Sequence, residues 1–101
     1  MVKVLILFGH PVDLTKFDYY FDQEHRKIVS TIPNLQSSKI DYVAGAVVGT
    51  NPTYRIVELV FDTEDDMQEG LNSGSGQLMA SDYSNFATGG VSVLLCQTGD
   101  L

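Results

Sequence analysis

The sequence predicts an α+β fold in the order β-α-β-β-α-β, with its second helix split, and three observations carry that reading. A continuous apolar run opens the chain from Val2 to Phe8. An amphipathic helix follows, with Leu14, Phe17, Phe21, Ile28 and Ile32 on one arc at 100° per residue. Strand-like segments about 35–48, 54–61 and 91–97 are then separated by turn chemistry and a further helical region. One sheet with its helices on one face is the ferredoxin-like arrangement. The 101 residues make a single domain, 1–101.

The opening strand is apolar on both alternating faces apart from Lys3, which places it near the middle of a sheet. Gly9-His10-Pro11 ends it, and Asp13 is the expected N-cap of the first helix. Pro33 restricts its predecessor and predicts that the helix stops at Ile32. The next strand, about Leu35 to Val48, mixes polar residues into its alternation and reads as an edge. Gly49-Thr50-Asn51-Pro52 is a turn, and Tyr54 to Phe61 is rich in β-formers with Glu58 inside it.

Acids at 62–66 start a helix where its dipole favours them, and Asn72-Ser73-Gly74-Ser75-Gly76 breaks it. A third helical piece, about Gly76 to Phe86, carries Leu78, Met79, Tyr83 and Phe86 at helical spacing. Gly89-Gly90 leads into the last strand, Val91 to Gln97, where Cys96 is expected to be a buried thiol. Helices cover one sheet face only, so the two-sided apolar strands need a second cover. A homodimer packed sheet to sheet is the expected answer.

Thirteen acidic against six basic residues, with no basic cluster, argue against nucleic acid or an anionic membrane as partner. One cysteine excludes an intrachain disulfide. The N-terminal apolar run is too short for a signal segment, and no run approaches the roughly 20 residues of a membrane span. The expectation is a cytoplasmic protein without a targeting segment.

His25 is the leading functional candidate because it lies inside the apolar stripe of the first helix. It is either a core-edge histidine bonded to a carbonyl or carboxylate, or a general acid or base in a pocket between helix and sheet. Asp22, or Asp18 one turn further back, is placed to orient it. Tyr20 at the stripe edge either packs or polarises a carbonyl. Glu58 either pairs at a rim with Lys39 or Arg55, or sits in the pocket with a raised pKa. His10 ends a central strand, where loops line sites. The expected pocket is apolar, walled by Phe17, Phe21, Ile28, Phe61, Tyr83 and Phe86, and takes a small apolar molecule. Two histidines without spaced Cys or His partners predict no metal, and neither phosphate-loop nor dinucleotide glycine pattern is present.

Several pieces together resemble the EthD family: Phe8-Gly9-His10-Pro11, Phe17-Asp18-Tyr19-Tyr20 with His25 five residues on, and Ile32-Pro33-Asn34-Leu35. Glu58-Leu59-Val60-Phe61-Asp62-Thr63-Glu64 and Asn85-Phe86-Ala87-Thr88-Gly89-Gly90-Val91 complete the pattern along the whole length. Family members commonly carry a His-x-Pro step, whereas here His25 is followed by Arg26-Lys27. The resemblance implies a homodimeric α+β barrel, a family named for ethyl tert-butyl ether degradation, and members often labelled reductases. Related barrels include cofactor-free oxygenases and isomerases acting on polyketides and lactones, and haem-degrading enzymes. The expectation is therefore a cofactor-free oxidoreductase or isomerase/cyclase with His25, Tyr20 and Glu58 as catalytic candidates. The alternatives are a non-catalytic dimeric binder of hydrophobic ligands or a stress-type protein, and haem binding through a histidine.

Overall fold

A computed structural model of the protein describes residues 1–50 and 52–101. Strand β1 (Val2–Gly9) leads to helix α1 (Leu14–Tyr20), a π turn (Phe21–His25) and helix α2 (Arg26–Val29). Strands β2 (Leu35–Tyr42) and β3 (Thr53–Phe61), helices α3 (Glu64–Asn72) and α4 (Gly74–Asp82), a 3₁₀ turn (Tyr83–Asn85) and strand β4 (Val91–Gln97) complete the order. The four strands form one antiparallel sheet in the order β2-β3-β1-β4, so the doubly apolar opening strand is internal, as its composition requires.

Paired residues of antiparallel strands share a face, and the register therefore sorts the side chains. Val4 opposes Leu59, Ile6 opposes Val57 and Phe8 opposes Arg55, and all six are buried beneath the helices. The other face presents Leu5, Leu7, Ile56, Val60 and Leu94, together with Lys3, whose Nζ lies 3.0 Å from Glu58 Oε1. On the helix side the core is strongly aromatic. Phe8 meets Phe17, Phe21, Tyr83 and Phe86 at centroid distances of 5.5 to 5.8 Å. Each well-placed ring pair adds about 0.5–1.5 kcal/mol beyond burial.

Local chemistry fixes the helix ends. Asp13 Oδ1 accepts from Lys16 N and Thr63 Oγ1 accepts from Asp66 N, as capping requires. The first helical stretch ends at Val29, short of Ile32. The Ser30 and Thr31 hydroxyls donate to the Lys27 and Ile28 carbonyls and satisfy the last turn there. Gly74-Ser75-Gly76 does not break the second helical region but opens α4. Ser73 alone divides α3 from α4: its Oγ donates to Gly70 O and accepts from Gly76 N, which offsets the weak helix propensity of the glycines. Leu78 is exposed on α4.

β2 stops at Tyr42 rather than running to Val48, because Ala44-Gly45-Ala46 offers little to pack on a pleated surface. The turn expected at Gly49-Thr50-Asn51-Pro52 passes through Asn51, which lies outside the described residues. Cys96 is half-buried instead of buried, since β4 forms a sheet edge.

One backbone contact fixes the end of the sheet nearest the site. Gly9 N donates to Gly90 O, and a Cβ on Gly9 would stand 2.2 Å from Gly89 O. A Cβ on Gly89 would stand 2.2 Å from His10 O. Only glycine at both positions lets the loop after β1 cross the loop before β4.

Candidate active site

The buried residues of the first helical stretch are Phe17, Phe21, His25 and Val29, a strict four-residue spacing. Four residues turn about 400° in an α-helix, so such a row drifts by about 40° per step. The π turn takes up that drift: its wider i→i+5 bonding, closed by Arg26 N to Phe21 O, keeps the row facing the sheet. His25 is thereby held inside and is 1% exposed. Its ring lies 4.6 Å from Phe86, 5.4 Å from Tyr83 and 5.6 Å from Phe21, centroid to centroid.

Its polar partner comes from the other end of the chain. Asp82, the last residue of α4, places Oδ2 2.8 Å from His25 Nδ1. The same carboxylate accepts on Oδ1 from the Tyr20 hydroxyl at 2.6 Å and from Asn85 Nδ2 at 2.8 Å. Asn85 Nδ2 also reaches the Tyr20 oxygen at 3.4 Å. An acid at a helix C-terminus faces the negative end of the dipole, and these donors supply what the helix does not. Burial pushes the Asp82 carboxyl up, but the bonds from Tyr20, Asn85 and His25 outweigh it and hold the group below its usual range. Burial lowers the His25 pKa, against the opposing pull of Asp82, so the ring is neutral at pH 7. A neutral ring facing an ionised carboxylate must carry its proton on Nδ1, which leaves Nε2 as the basic nitrogen. The bond to Asp82 raises the pKa of the Tyr20 hydroxyl, with burial adding to it.

Beside this cluster lies an open cavity of about 640 Å³ between α1 and the 85–88 segment. Tyr20 and Asn85 form part of its wall, with Phe17, Phe86, Val12 and Thr88. The hydroxyl and amide that bind Asp82 therefore belong to residues facing a space of ligand size.

The remaining candidates divide. Phe21, Tyr83 and Phe86 surround His25, so the volume expected to be a pocket beneath the helix is filled by their own rings. Phe61 lies away from His25, beside Gly70 of α3, and Ile28 is half-buried on α2. His10 is exposed with its ring 5.4 Å from that of Tyr54. Glu58 is on the opposite face of the sheet and pairs with Lys3, not with Lys39 or Arg55. Neither Asp22 nor Asp18 orients His25. Asp22 faces solvent and pairs with Arg26 at 3.3 Å, while Asp18 accepts from Tyr54 and Arg55. Asp82 and Asn85 were the residues to find. Asp82 lies three residues after Met79 and four before Phe86, on the same helical row, and an acid on that row is the sequence signal.

Among the described residues no group of three or more His, Cys, Asp or Glu side chains is placed to hold a metal ion. No helix there is long and apolar enough to cross a membrane.

No family model matches the chain. An uncharacterized 11.0 kDa protein from the thcB-thcC intergenic region of Rhodococcus erythropolis is 32% identical over 99 residues, covering 93% of this chain and 91% of that protein. The chain belongs to the family of that protein. Its fold is EthD-like: the crystal structure of an ethyl tert-butyl ether (EthD) family protein from Bacillus halodurans superposes with a TM-score of 0.90. That match covers 98% of this chain and 99% of the other at 23% identity, and the resemblance read from the residues holds for the fold. A dimeric ferredoxin-like protein of unknown function from Thermobifida fusca matches at a TM-score of 0.71 and 12% identity. It covers 96% of this chain and 90% of that one.

Proposed function

We propose that the protein is a small cofactor-free enzyme that moves a proton on an apolar carbonyl- or phenol-bearing molecule held beside α1. The observation that carries this reading is the chain His25–Asp82–Tyr20, whose Tyr20 end borders the 640 Å³ cavity. A substrate proton passes to the Tyr20 oxygen while the Tyr20 proton passes to Asp82 Oδ1, and return of a proton at another atom completes an isomerisation. His25 holds Oδ2 and, with Asn85, fixes the carboxylate for that exchange. The cavity walls, Phe17, Phe86 and Val12, favour an apolar body.

The active unit in this proposal is a homodimer joined through the face bearing Leu5, Leu7, Ile56, Val60 and Leu94. What supports it is that apolar row, uncovered by any helix of the chain, and the dimeric Thermobifida fusca neighbour. Glu58 then belongs to the interface and not to proton transfer.

Deuterium uptake from D2O at the α-carbon of small aryl ketones tests the chemistry without a known substrate. Uptake above the buffer rate is expected for the wild type, falling about 10²-fold or more in Tyr20→Phe and Asp82→Asn. Equal uptake in all three proteins sinks the relay.

The near-complete burial of His25 favours a second reading, in which the same cluster only ties α1 to α4 in a non-catalytic binder of hydrophobic ligands. In that case His25→Ala lowers the Tm and leaves ligand affinity unchanged.

A further inference from the structure

Arg55 is one of two arginines in the chain and is 4% exposed, on the helix side of the sheet. Its Nη2 donates to Asp18 Oδ1 at 2.9 Å, but Nε and Nη1 are buried without any hydrogen-bond partner among the described residues. Four rings surround the guanidinium: Phe21 and Tyr42 at 4.7 Å, Phe17 at 5.3 Å and Tyr54 at 5.5 Å. Cation–π contacts stabilise the charge but supply no acceptor for the two free donors. A buried cation of this kind, with a counter-charge on one nitrogen only, retains the capacity to bind a further anion.

Two of the surrounding rings lead outward. Tyr42 and Phe21 also line a groove of about 400 Å³ between α2 and β2, with Val29, Ile40 and Val57 as apolar walls. Ser30, Ser38, Arg26 and Lys39 bring hydroxyls and positive charge to the same groove. Tyr42 is the last residue of β2 and is 64% exposed, so its ring covers Arg55 from the solvent side without being wedged in the core. The groove is thus a polar-edged apolar slot with a guanidinium that keeps two unpartnered donors behind one exposed ring. In a chain of net charge −7, three of the six basic residues are gathered there, Arg26 paired with Asp22 and Arg55 with Asp18.

We propose that Arg55 is the anchor of a second binding site, for the carboxylate of a small aromatic or otherwise apolar acid lying in the α2–β2 groove. Tyr42 is its cover and swings aside to admit the carboxylate to Nε and Nη1. This site is separate from the cavity beside Tyr20: the groove and the cavity share no lining residue. It does not depend on the proton-transfer reading.

The arginine Nε–H resonances of 15N-labelled protein report on it directly, because only Arg26 and Arg55 contribute. Benzoate is expected to move the Arg55 Nε–H signal downfield and to perturb the amides of Ile40, Tyr42 and Val57, while neutral benzamide does neither. Arg55→Lys is expected to weaken benzoate about tenfold. Tyr42→Ala, at an exposed position, is expected to speed hydrogen exchange of the Arg55 Nε–H. No movement of that signal with benzoate, or an equal movement with benzamide, overturns the site in the wild type itself. Unchanged exchange in Tyr42→Ala overturns the cover.

Discussion

His25 Nδ1 and Asp82 Oδ2 stand 2.8 Å apart with 1% and 5% of their side chains exposed, and they join the first helical stretch to the end of α4. A hydrogen bond this deep is costly to break from one side, because the partner left behind has lost its water and gained nothing.

Asp82→Ala takes the acceptor from His25 Nδ1, the Tyr20 hydroxyl and Asn85 Nδ2, and is therefore expected to destabilise the protein by about 3 kcal/mol, the upper end for a buried donor left unsatisfied. Tyr20→Phe removes the bond to Asp82 and the longer one from Asn85 at a half-buried hydroxyl, and costs about 1 kcal/mol. At this size a kilocalorie moves the melting point by roughly 4–8 °C, so thermal unfolding separates the two. Similar melting points for both variants contradict the central place given to Asp82.

Stability should fall on acidification in two windows. The unfolded chain protonates His25 near pH 6.5, and the folded protein only at lower pH, because burial disfavours the charged ring. Between those values the unfolded state binds the extra proton, so stability is lost as pH drops. Asp82, held below the usual carboxylate range, adds a second loss as the pH falls through its folded value. His25→Gln should flatten the Tm–pH curve in the first window. Parallel curves for wild type and variant between neutral pH and pH 5 count against the buried neutral ring.

Tyr83 is a contrasting case. Its hydroxyl is buried without a partner among the described residues, and burial drives its pKa well above the ordinary phenol value. Tyr83→Phe is expected to leave stability unchanged or raise it by about 1 kcal/mol. A clear loss in denaturant unfolding means that the hydroxyl has a partner in solution.

The open sheet face can be tested apart from any chemistry. Leu7 and Ile56 are adjacent in register and half-buried in the single chain. Leu7→Lys or Ile56→Lys should give a folded monomer by light scattering at micromolar concentration, where the wild type gives a dimer. A wild-type monomer removes the dimer.

Much of this architecture was legible because periodicity is a backbone property. The internal place of Val2 to Phe8 and the inward turn of His25 follow from alternation and from 100° steps. The partner of His25 was not legible. Asp82 is 57 residues away, and only the packing of α4 against α2 brings it near. Asp22 and Asp18, close in sequence, drew attention and proved to serve Arg26 and Arg55. The π turn was equally hidden, since its one trace is the spacing of 17, 21, 25 and 29. The cavity moved from beneath the helix to beside it because five aromatic side chains fill the interior that a pattern of apolar letters leaves open.

The crossing of Gly9 and Gly89 gives the cavity a fixed gauge. Its far wall, Asn85 to Thr88, runs straight into Gly89-Gly90, which meets the end of β1 main chain to main chain, and the Thr88 hydroxyl adds a bond from Val12 N. Changes at Val12, Thr15 or Tyr19 recontour the lining. The width between α1 and that wall belongs to the backbone, and a single methyl group at either glycine would reset it.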